Sequence, residues 1–411
     1  MKVGGVRKAA LVFIFVTVLL DVLALGLIIP VLPELVVQFT GGDWAKGAEL
    51  TGVFSTVWAA MQLVFSPLFG ALSDRFGRRK VILASNFGLG FDYMVMALAP
   101  SWQWLFVGRA VSGITASSIP TAFAYISDVT PPEKRAAGFG ILGAAFGVGF
   151  VIGPALGGIL GKVDPRLPFW VAAALSLMNA LYGVFVLPES LPPERRSAFS
   201  WKRANPVGAL AMLKGHTGLF GLASMNFLGY VAHVVLPSTF VLYAQYRYGW
   251  DKAMVGLALG AVGVMSLIVQ GGLIRVCIAK LGERRTLLAG LWFGVAGFFV
   301  AGWAPDAGTF WVSIPLESLW GLAGPATMGL MSARVGPGEQ GQLQGLNNSL
   351  RALSEIIGPT LYTVPFAYAV SAGREWGTPG IPFYLASALL AVSALVALKV
   401  AVPAPAPASA P

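Results

Sequence analysis

The chain has 411 residues, of which 56% are hydrophobic and 11% are charged, and its mean hydropathy is +0.74. Soluble domains usually have an apolar share of about half and a far lower hydropathy, so this composition excludes an ordinary soluble protein. The formal net charge is +10, and the single cysteine, Cys277, excludes an internal disulfide and supplies no metal-site spacing. We therefore expect no bound metal ion and no other cofactor.

Apolar stretches of about 20 residues recur along the chain, and each could cross roughly 30 Å of hydrocarbon. The first has a basic start like a signal peptide, but Asp21 interrupts it and no small-residue cleavage site follows, so we expect an uncleaved span. Breaks at Pro, Gly and charge clusters predict an all-α membrane protein with twelve transmembrane helices. The predicted spans are 9–32, 50–72, 80–99, 103–125, 138–161, 167–187, 217–241, 253–275, 285–304, 309–331, 342–369 and 381–402.

The longest loop is polar and basic and predicts a link between two six-helix bundles. We place the first bundle at 1–187, a cytoplasmic linker at 188–216, the second bundle at 217–402 and a disordered tail at 403–411. Most Lys and Arg residues fall in loops on the side of the N-terminus. The loops of the opposite side hold only Lys46, Lys162, Arg166, Arg247, Lys252 and Arg374. Cytoplasmic loops carry such an excess, so we expect both termini in the cytoplasm, and the basic charge requires no nucleic-acid partner.

The two halves of the chain resemble each other at a nearly constant offset. DRFGRRKVILA at 74–84 matches AKLGERRTLLA at 279–289, which places Gly77 and Gly282 205 positions apart. VIGPALGG at 151–158 matches IIGPTLYT at 356–363 with the same offset, and PPEKRAAGFG at 131–140 resembles PGEQGQLQG at 337–345. Parallel repeats of six spans place a substrate path between the halves near the midplane of the bilayer. The repeat favours a transporter over a membrane enzyme.

Three motifs resemble those of the major facilitator superfamily. GALSDRFGRRKV at 70–81 is similar to its loop signature, GRAVSGITASS at 108–118 to its fourth-span motif, and GFVIGPALGG at 149–158 to the fifth-span motif of its exporters. LLDVLALGLIIPVLPEL at 19–35 and FDYMVMALAP at 91–100 also resemble the tetracycline/proton antiporters of Gram-negative bacteria. The resemblance implies proton-coupled export of tetracycline-like or other amphiphilic drugs, by alternating access, across the bacterial cytoplasmic membrane.

The loop between spans 2 and 3 crowds five charges into the seven residues 74–80. Basic residues there also serve as topology signals, but that role leaves Asp74 and the glycines unexplained. The resemblance implies a latch that holds one conformational state. In it, Gly70 would let spans 2 and 11 approach, and Asp74 would accept from a helix N-terminus or pair with Arg135 or another loop arginine. The predicted latch comprises Gly70, Asp74, Arg75, Gly77, Arg78, Arg79, Asp128 and Arg135. Ala279 replaces the acid in the second copy, so that latch is degenerate.

Ionisable residues inside spans are costly and mark functional sites. Asp21 in span 1, Asp92 in span 3 and Arg109 in span 4 fall at a similar depth when each residue contributes about 1.5 Å. We predict that the two acids handle protons or cations and that the arginine tunes them. A permanent structural pair between an acid and Arg109 is the alternative.

The remaining candidates serve packing or the substrate. Small residues of the fifth-span motif would permit close helix packing, and its proline would bend the helix. That set is Gly149, Gly153, Pro154, Gly157 and Gly158, to which the resemblance adds a seal against proton leak. The candidate cavity residues are Gln62, Asn226, His233, Gln270, Glu317, Arg351 and Glu355. Within that set Arg351 and Glu355 are spaced to pair with each other, and a lone histidine such as His233 is more often a packing residue.

Departures from the antiporters leave the substrate open. They carry an acid in span 9 and a histidine in span 8, where this chain has Gly294 and Ser266 nearest. One alternative is a proton symporter that imports a small organic nutrient, against which the fifth-span motif argues. Another is a non-transporting sensor, against which the intact acids of spans 1 and 3 argue. An enzyme is not expected, because the chain has two histidines and no HExxH motif.

The expected partners are an amphiphilic small molecule, protons and the lipid bilayer. Mg²⁺ would take part only as a chelate with the substrate, and we expect the chain to act as a monomer. No segment resembles an ATP-binding loop, so an ion gradient is the expected energy source.

Overall fold

The structure is a computed structural model that describes residues 2–130, 135–196, 213, 217–335, 339–371 and 378–400. Within these ranges the chain is helical and contains no β-strand, so the predicted all-α class is confirmed. The helices are α1 (Lys2–Ile28), α2 (Leu32–Phe39), α3 (Trp44–Phe76), α4 (Arg78–Leu98), α5 (Trp102–Thr115), α6 (Ser118–Val129), α7 (Arg135–Val163), α8 (Leu167–Val186), α9 (Thr217–His233), α10 (Val235–Tyr248), α11 (Lys252–Ile268), α12 (Ile274–Trp303), α13 (Ala307–Leu319), α14 (Ala323–Ser332), α15 (Gln340–Val370) and α16 (Ile381–Val400).

Local chemistry explains several helix ends. Asp43 precedes α3 and accepts a hydrogen bond from the Lys46 amide at 3.0 Å, as an N-cap residue does. Asp306 caps α13 in the same way. Gly77 ends α3 with φ 102°, and Gly282 bends α12 with φ 75°. Both conformations favour glycine, so the two copies of the loop motif make the same kind of backbone turn.

Two predicted spans end or break at other places than expected. Span 1, predicted at 9–32, ends at Ile28, and the chain restarts as α2. Pro30 cannot donate an amide to the helix, and Pro33 suits the first turn of the next one. Span 7, predicted at 217–241, divides into α9 and α10 at Val234 and continues to Tyr248.

Span 4 was predicted as one helix at 103–125, but it breaks between α5 and α6. Residues at the break would leave amides without helical partners. The Ser85 hydroxyl of α4 accepts from the amides of Ser117 and Ser118 at 3.1 and 2.9 Å and donates to the Thr115 carbonyl. A side chain of another helix therefore satisfies the broken turn, which local sequence does not indicate.

Spans 8 to 10 also differ from simple helices. The end of span 8 is a π-helical turn at Val269–Leu273, and α12 then continues through the turn at Gly282 into span 9. A 3₁₀ turn at Trp320–Leu322 separates α13 from α14 inside span 10, predicted at 309–331. Short 3₁₀ and π segments of this kind often mark strained or functional positions.

Eight stretches of the described chain are long and apolar enough to cross a membrane. They are Val12–Phe39, Trp44–Phe76, Arg78–Leu98, Gly140–Val163, Leu167–Val186, Gly218–Tyr248, Lys252–Trp303 and Ile381–Val400. The chain is therefore a multi-pass membrane protein. The stretch Lys252–Trp303 covers two predicted spans, and the count of twelve stays a prediction.

Contacts divide the chain into two compact units, and the division does not follow chain order. Unit 1 contains Met1–Asn205 and Val241–Gly263, and unit 2 contains Pro206–Phe240 and Val264–Pro411. The domain boundaries drawn from the sequence repeat stay a prediction. Most of the predicted linker at 188–216 and the whole predicted tail at 403–411 lie outside the described residues.

Unit 1 is held together by close helix packing at small residues. A Cβ built on Gly26 of α1 would lie 2.9 Å from the Gly153 Cα of α7, so neither position has room for a side chain. A Cβ on Gly256 of α11 would lie 2.5 Å from the Pro154 carbonyl oxygen of α7. Small residues permit such backbone approach in membrane helices. Helix α7 therefore packs closely against both α1 and α11.

Candidate functional site

The loop cluster consists of Asp74, Arg78, Asp128 and Glu189, and Arg78 is its centre. The Arg78 guanidinium contacts Asp74 Oδ1 at 2.6 Å and Asp128 Oδ2 at 3.1 Å, and it also donates to the Ser73 hydroxyl at 2.6 Å. The Arg78 side chain is 11% exposed, so these contacts are partly shielded from water. The arginine thereby joins the end of α3, the start of α4 and the end of α6.

Glu189 follows α8 and closes the same cluster. Its Oε1 accepts from the backbone amide of Arg78 at 2.8 Å and from the amide of Leu191 at 3.1 Å. A Cβ at Gly77 would collide with the Glu189 carboxylate, so the turn and the cap depend on each other. Ser190 next to it donates to Asp128 Oδ2 at 3.0 Å. The carboxylate caps the first turn of α4, where the helix dipole favours negative charge.

Sequence reasoning missed Glu189 and Ser190. They lie in the polar run that follows α8, more than a hundred residues from Gly77. Only the acidic residue placed directly after an apolar span could have signalled their role. The predicted partner of Asp74 was a helix N-terminus, Arg135 or another loop arginine, and the structure places Arg78 there. The Arg135 side chain lies outside the described residues.

Three other predicted latch residues, Gly70, Arg75 and Arg79, make contacts outside the loop cluster or none that require them. A Cβ at Gly70 would meet no atom of unit 1 within 4 Å, so nothing in that unit requires glycine there. Arg75 is exposed and lies over the Phe76 ring at 5.1 Å. Arg79 donates to the carbonyl oxygens of Gly183, at 3.4 Å, and Val184 at the end of α8.

Asp21 is buried in unit 1 among polar side chains of other helices. It is 5% exposed, and Asn179 of α8 donates to its Oδ1 at 2.8 Å. With its amide turned to donate, Asn86 of α4 reaches the two carboxyl oxygens at 3.2 and 3.3 Å. The Ser118 hydroxyl, in the first turn of α6, is a further hydrogen-bond partner. This carboxyl is therefore held by neutral donors from three helices.

Asp92 and Arg109 are buried next to each other without a direct ion pair. Asp92 is 1% exposed, Arg109 is 8% exposed, and within the described ranges no nitrogen–oxygen contact of 4 Å or less joins them. No hydrogen bond of standard geometry reaches either Asp92 oxygen in that part of the chain, and the Ser112 hydroxyl of α5 is the neutral donor that interacts with this carboxyl. The Arg109 guanidinium lies 5.2 Å from the centroid of the Trp58 ring.

Gly108 explains how the carboxyl of Asp92 fits. A Cβ built on Gly108 of α5 would lie 2.9 Å from Asp92 Oδ1, so glycine leaves the space that the carboxyl fills. No direct contact joins Asp92 and Arg109 in the described structure, and the alternative of a permanent structural pair stays a prediction. A partly satisfied buried carboxyl beside a fixed positive charge can gain and lose a proton as its surroundings change.

The small residues of the fifth-span motif lie on α7 where this helix contacts its neighbours. Gly149, Gly153 and Gly157 face α1, where a Cβ on Gly149 would lie 2.8 Å from the Val22 side chain. Gly158 faces the backbone of Lys252. Pro154 stays inside the continuous helix α7.

The predicted cavity residues of unit 2 fall into separate contacts. Asn226 donates to Asn347 Oδ1 at 2.6 Å, and Arg351 binds Glu355 at 2.9 Å along α15. His233 is exposed, and its ring lies 5.8 Å from that of Trp320. Glu317 is 7% exposed. Gln62 of unit 1 is half-buried and Gln270 of unit 2 is exposed, and nothing in either unit brings them to one site.

A second charged group, the Glu34 cluster, was not predicted; it comprises Glu34, Gln245 and Lys252. Lys252 Nζ lies 2.8 Å from Glu34 Oε1, and Gln245 donates to Glu34 Oε2 at 2.7 Å. The lysine and glutamate side chains are 13% and 23% exposed. Glu34 belongs to the first sequence half and its partners to the second, although all three lie in unit 1.

A cavity of about 420 Å³ opens beside the Glu34 cluster, with Trp44 and Trp250 among its lining residues. At its rim Lys162 binds Asp251 at 2.9 Å, and both side chains are exposed. The backbone amide of Met254 and the Lys162 ammonium lower the pKa of Asp251. In the part of the chain that the structure describes, no group of three or more His, Cys, Asp or Glu is placed to hold a metal ion.

Comparison with known proteins gives relatives along nearly the whole chain. The family model of the Major Facilitator Superfamily matches residues 14–359. The tetracycline resistance protein of class C from Escherichia coli is 36% identical over 372 residues, which cover 89% of this chain and 92% of that protein. The class D protein from Salmonella ordonez is 32% identical over 402 residues, with 97% and 98% covered.

A solved structure agrees on the fold. The human organic anion transporter MFSD10 superposes with a TM-score of 0.70 at 23% identity, covering 95% of this chain and 99% of that one. A match of this identity supports the helical architecture alone. Together with the loop motif, its repeat and the family model across most of the chain, it places this protein in the major facilitator superfamily.

Proposed function

We propose that this chain is a proton-driven antiporter that exports amphiphilic organic compounds across the cytoplasmic membrane of a bacterium, with both termini in the cytoplasm. It would act as a monomer, as a transporter and not as an enzyme. The observation that carries the proposal is Asp92, buried inside unit 1 beside Arg109 with no ion pair and no hydrogen bond of standard geometry among the described residues. The similarity to tetracycline resistance proteins along nine-tenths of the chain supports it.

In the proposal, Asp92 carries the coupling proton and Arg109 competes with it. A buried carboxylate is costly when it lacks partners, and the nearby guanidinium reduces that cost only if it can approach. A small movement of α4 against α5 would therefore change the affinity for a proton. Asp21 is the second acid, and its neutral donors Asn86 and Asn179 accommodate either protonation state.

Two charged clusters would hold the end states of alternating access. The loop cluster around Arg78 would hold the cytoplasmic side, as the resemblance implies, and the Glu34 cluster would hold the outer side. Each is a partly shielded set of ion pairs, which is costly to break one partner at a time. Proton uptake from outside would favour the state open to the cytoplasm, and substrate binding there would displace the proton.

Tetracycline chelated to Mg²⁺ is the first substrate to test, because tetracycline resistance proteins are relatives. Those antiporters are expected to carry ionisable groups where this chain has Gly294 and Ser266. Other amphiphilic drugs are therefore tested after tetracycline. Inverted vesicles with an acidic interior would be given tetracycline and Mg²⁺, then a panel of lipophilic drugs, while internal pH is recorded. The proposal predicts that an exported compound releases protons from the interior.

The Asp92→Asn variant should lose this proton release. Asp306→Asn is the matched control, since Asp306 is an exposed helix cap outside the proposed machinery and should behave like the wild type. A response to another drug and not to tetracycline would keep the antiporter and reject tetracycline as substrate. Proton release that persists in Asp92→Asn, or no response to any compound by folded protein, would contradict the proposal.

A further inference from the structure

Glu317 is an isolated buried carboxyl in unit 2, two residues before the end of α13. It is 7% exposed, and its Oε1 has no hydrogen-bond partner among the described residues. In those same ranges no Lys, Arg or His nitrogen lies within 4 Å of it. The proton relay proposed above uses the acids of unit 1 and leaves this group unused.

Glycines of α12 make the space in which Glu317 lies. A Cβ built on Gly297 would lie 2.7 Å from the Glu317 backbone nitrogen and 2.8 Å from its Cγ. One turn earlier, a Cβ on Gly294 would lie 2.9 Å from Trp320 Cγ. Any larger residue at Gly297 would displace the glutamate, so the helix face is shaped around it. Close backbone approach of this kind is how membrane helices bury a polar group between them.

Trp320, one turn after Glu317, belongs to an aromatic cluster, and Ser313, one turn before Glu317, offers the carboxyl a neutral hydroxyl. Trp320 contacts the Phe298 ring at 5.7 Å between centroids and the His233 ring at 5.8 Å. Ring faces attract cations, and the ring edges of the indole and imidazole offer N–H groups. A buried acid with an aromatic cluster on neighbouring turns is a common composition for sites that take a cation.

Among the described residues, no titratable group of a neighbouring helix forms an ion pair with Glu317. The charged residues of α12 lie at or before Arg285, about three helical turns from Gly297. The His233 ring of α9 lies 5.8 Å from the Trp320 ring, and Arg351 of α15 is bound to Glu355. Helices α10 and α16 contribute the Phe240 and Phe383 rings that surround Phe310.

An ionised carboxylate in such a place would be both desolvated and unpaired. Buried charges are tolerated when a partner or a metal compensates them, and otherwise the group becomes neutral. The geometry therefore requires one positive charge at Glu317 that the protein itself does not supply.

We propose that Glu317 is a binding site for a single positive charge, carried either by a proton or by an ammonium or other cationic group of the substrate. This inference rests on the proposed export function for the substrate arm alone. The proposal predicts a preference for cationic amphiphiles, because a buried acid discriminates against anions and favours cations over neutral molecules of the same shape.

The experiment compares Glu317→Gln with Glu283→Gln, the same change at an acid of unit 2 outside the spans. Infrared spectra of both purified proteins at neutral pH report protonated carboxylic acids independently of transport. Inverted vesicles then measure uptake of ethidium, a permanent cation, and of chloramphenicol, which is uncharged. Glu317→Asp, which keeps the acid, is the rescue variant, and monodisperse elution checks folding.

If the charge is a proton, Glu317→Gln removes a protonated-carboxyl band that Glu317→Asp retains, and uptake of both compounds falls. If the charge belongs to the substrate, added ethidium displaces the proton and removes the band from the wild type, and in Glu317→Gln ethidium uptake falls by about tenfold or more while chloramphenicol stays within about twofold. Absence of both effects relative to Glu283→Gln would overturn the inference. Failure of the wild type to transport anything would contradict the export function, and the infrared arm would still decide the protonation of Glu317.

Discussion

The two copies of the loop motif share a backbone and differ in their charges. Gly77 and Gly282 both adopt positive φ, at 102° and 75°. In each copy the arginine two positions later donates to carbonyl oxygens at the end of a distant helix: Arg79 at the end of α8, and Arg284 to Leu398 of α16 at 3.0 Å. The turn and its helix-end contact are therefore present twice.

Among the described residues, the ion pairs of the loop cluster have no counterpart in the second copy. Arg78, which joins two acids in the first copy, corresponds to Glu283 in the second, and Asp74 corresponds to Ala279. A Cβ at Gly77 would collide with Glu189, whereas a Cβ at Gly282 would meet nothing within 4 Å in unit 2. The comparison separates what a loop needs in order to turn from what a conformational latch needs in addition. The first copy should matter for transport, and the second mainly for the fold.

The largest expected effect is that of Arg78→Gln, which leaves Asp74 and Asp128 without their cation. Breaking one partner of a shielded pair costs about 1–3 kcal/mol here, since the site is only partly buried. The initial rate of export in inverted vesicles should fall by about tenfold or more. Glu283→Gln, at the corresponding position of the second copy, should stay within about twofold of the wild type. Equal losses in both variants would remove the distinction between the copies.

Next is the pair Gly77→Ala and Gly282→Ala, measured by thermal unfolding of the purified protein. Both force alanine into a conformation that costs about 1–3 kcal/mol. Gly77→Ala must also displace the Glu189 carboxylate that caps α4, so its midpoint should fall further, by several degrees. A larger fall for Gly282→Ala would show that the cap adds nothing.

Unit 1 also allows a shielded ion pair, Glu34–Lys252, to be compared with an exposed one, Lys162–Asp251. A double-mutant cycle of Glu34→Gln and Lys252→Met should give a coupling of about 1–2 kcal/mol, because this pair is mostly buried. The matched cycle on Lys162 and Asp251, which are 65% and 50% exposed, should give about 0.5 kcal/mol or less. Equal coupling energies for the two pairs would mean that burial does not strengthen the ion pair between Glu34 and Lys252.

The smallest expected effect is a pH-dependent one at Asp251. Its pKa is lowered, so its stabilisation is present above the unfolded pKa of about 3.9 and is lost as pH falls through the lower folded value. Asp251→Asn should therefore lower the unfolding midpoint slightly near neutral pH, and the effect should disappear once the pH falls below the folded pKa of Asp251. High salt should reduce the difference, since it screens the exposed Lys162 pair but leaves the hydrogen bond from the Met254 amide. A difference that grows as pH falls would contradict this assignment.

Much of the fold follows from the sequence, because hydropathy and the internal repeat are strong signals. The turns at Gly77 and Gly282 could be matched to each other from the repeat alone. The break between α5 and α6 could not, since the amides of Ser117 and Ser118 find their acceptor on Ser85, more than thirty residues away. Local sequence carries no record of such long-range compensation.

The candidate site shows the same limit. Asp21, Asp92 and Arg109 stand out because charge is rare inside spans, and the structure buries all three in unit 1. Arg78 could not be distinguished from its basic neighbours, since its role depends on Asp128, fifty residues on. In the sequence Lys252 stands only as a loop charge, although Glu34, an acid at the end of the first apolar run, indicates that a basic partner is needed.

Coupling between substrate and proton is the central claim, and a gradient of substrate alone tests it most directly. Vesicles loaded with an exported compound and diluted into medium without it would be followed by a pH probe, for the wild type and Asp92→Asn. The account predicts that protons move opposite to the substrate in the wild type and do not move in the variant. Protons that accompany the substrate, or substrate efflux that moves no protons in the wild type, would contradict it.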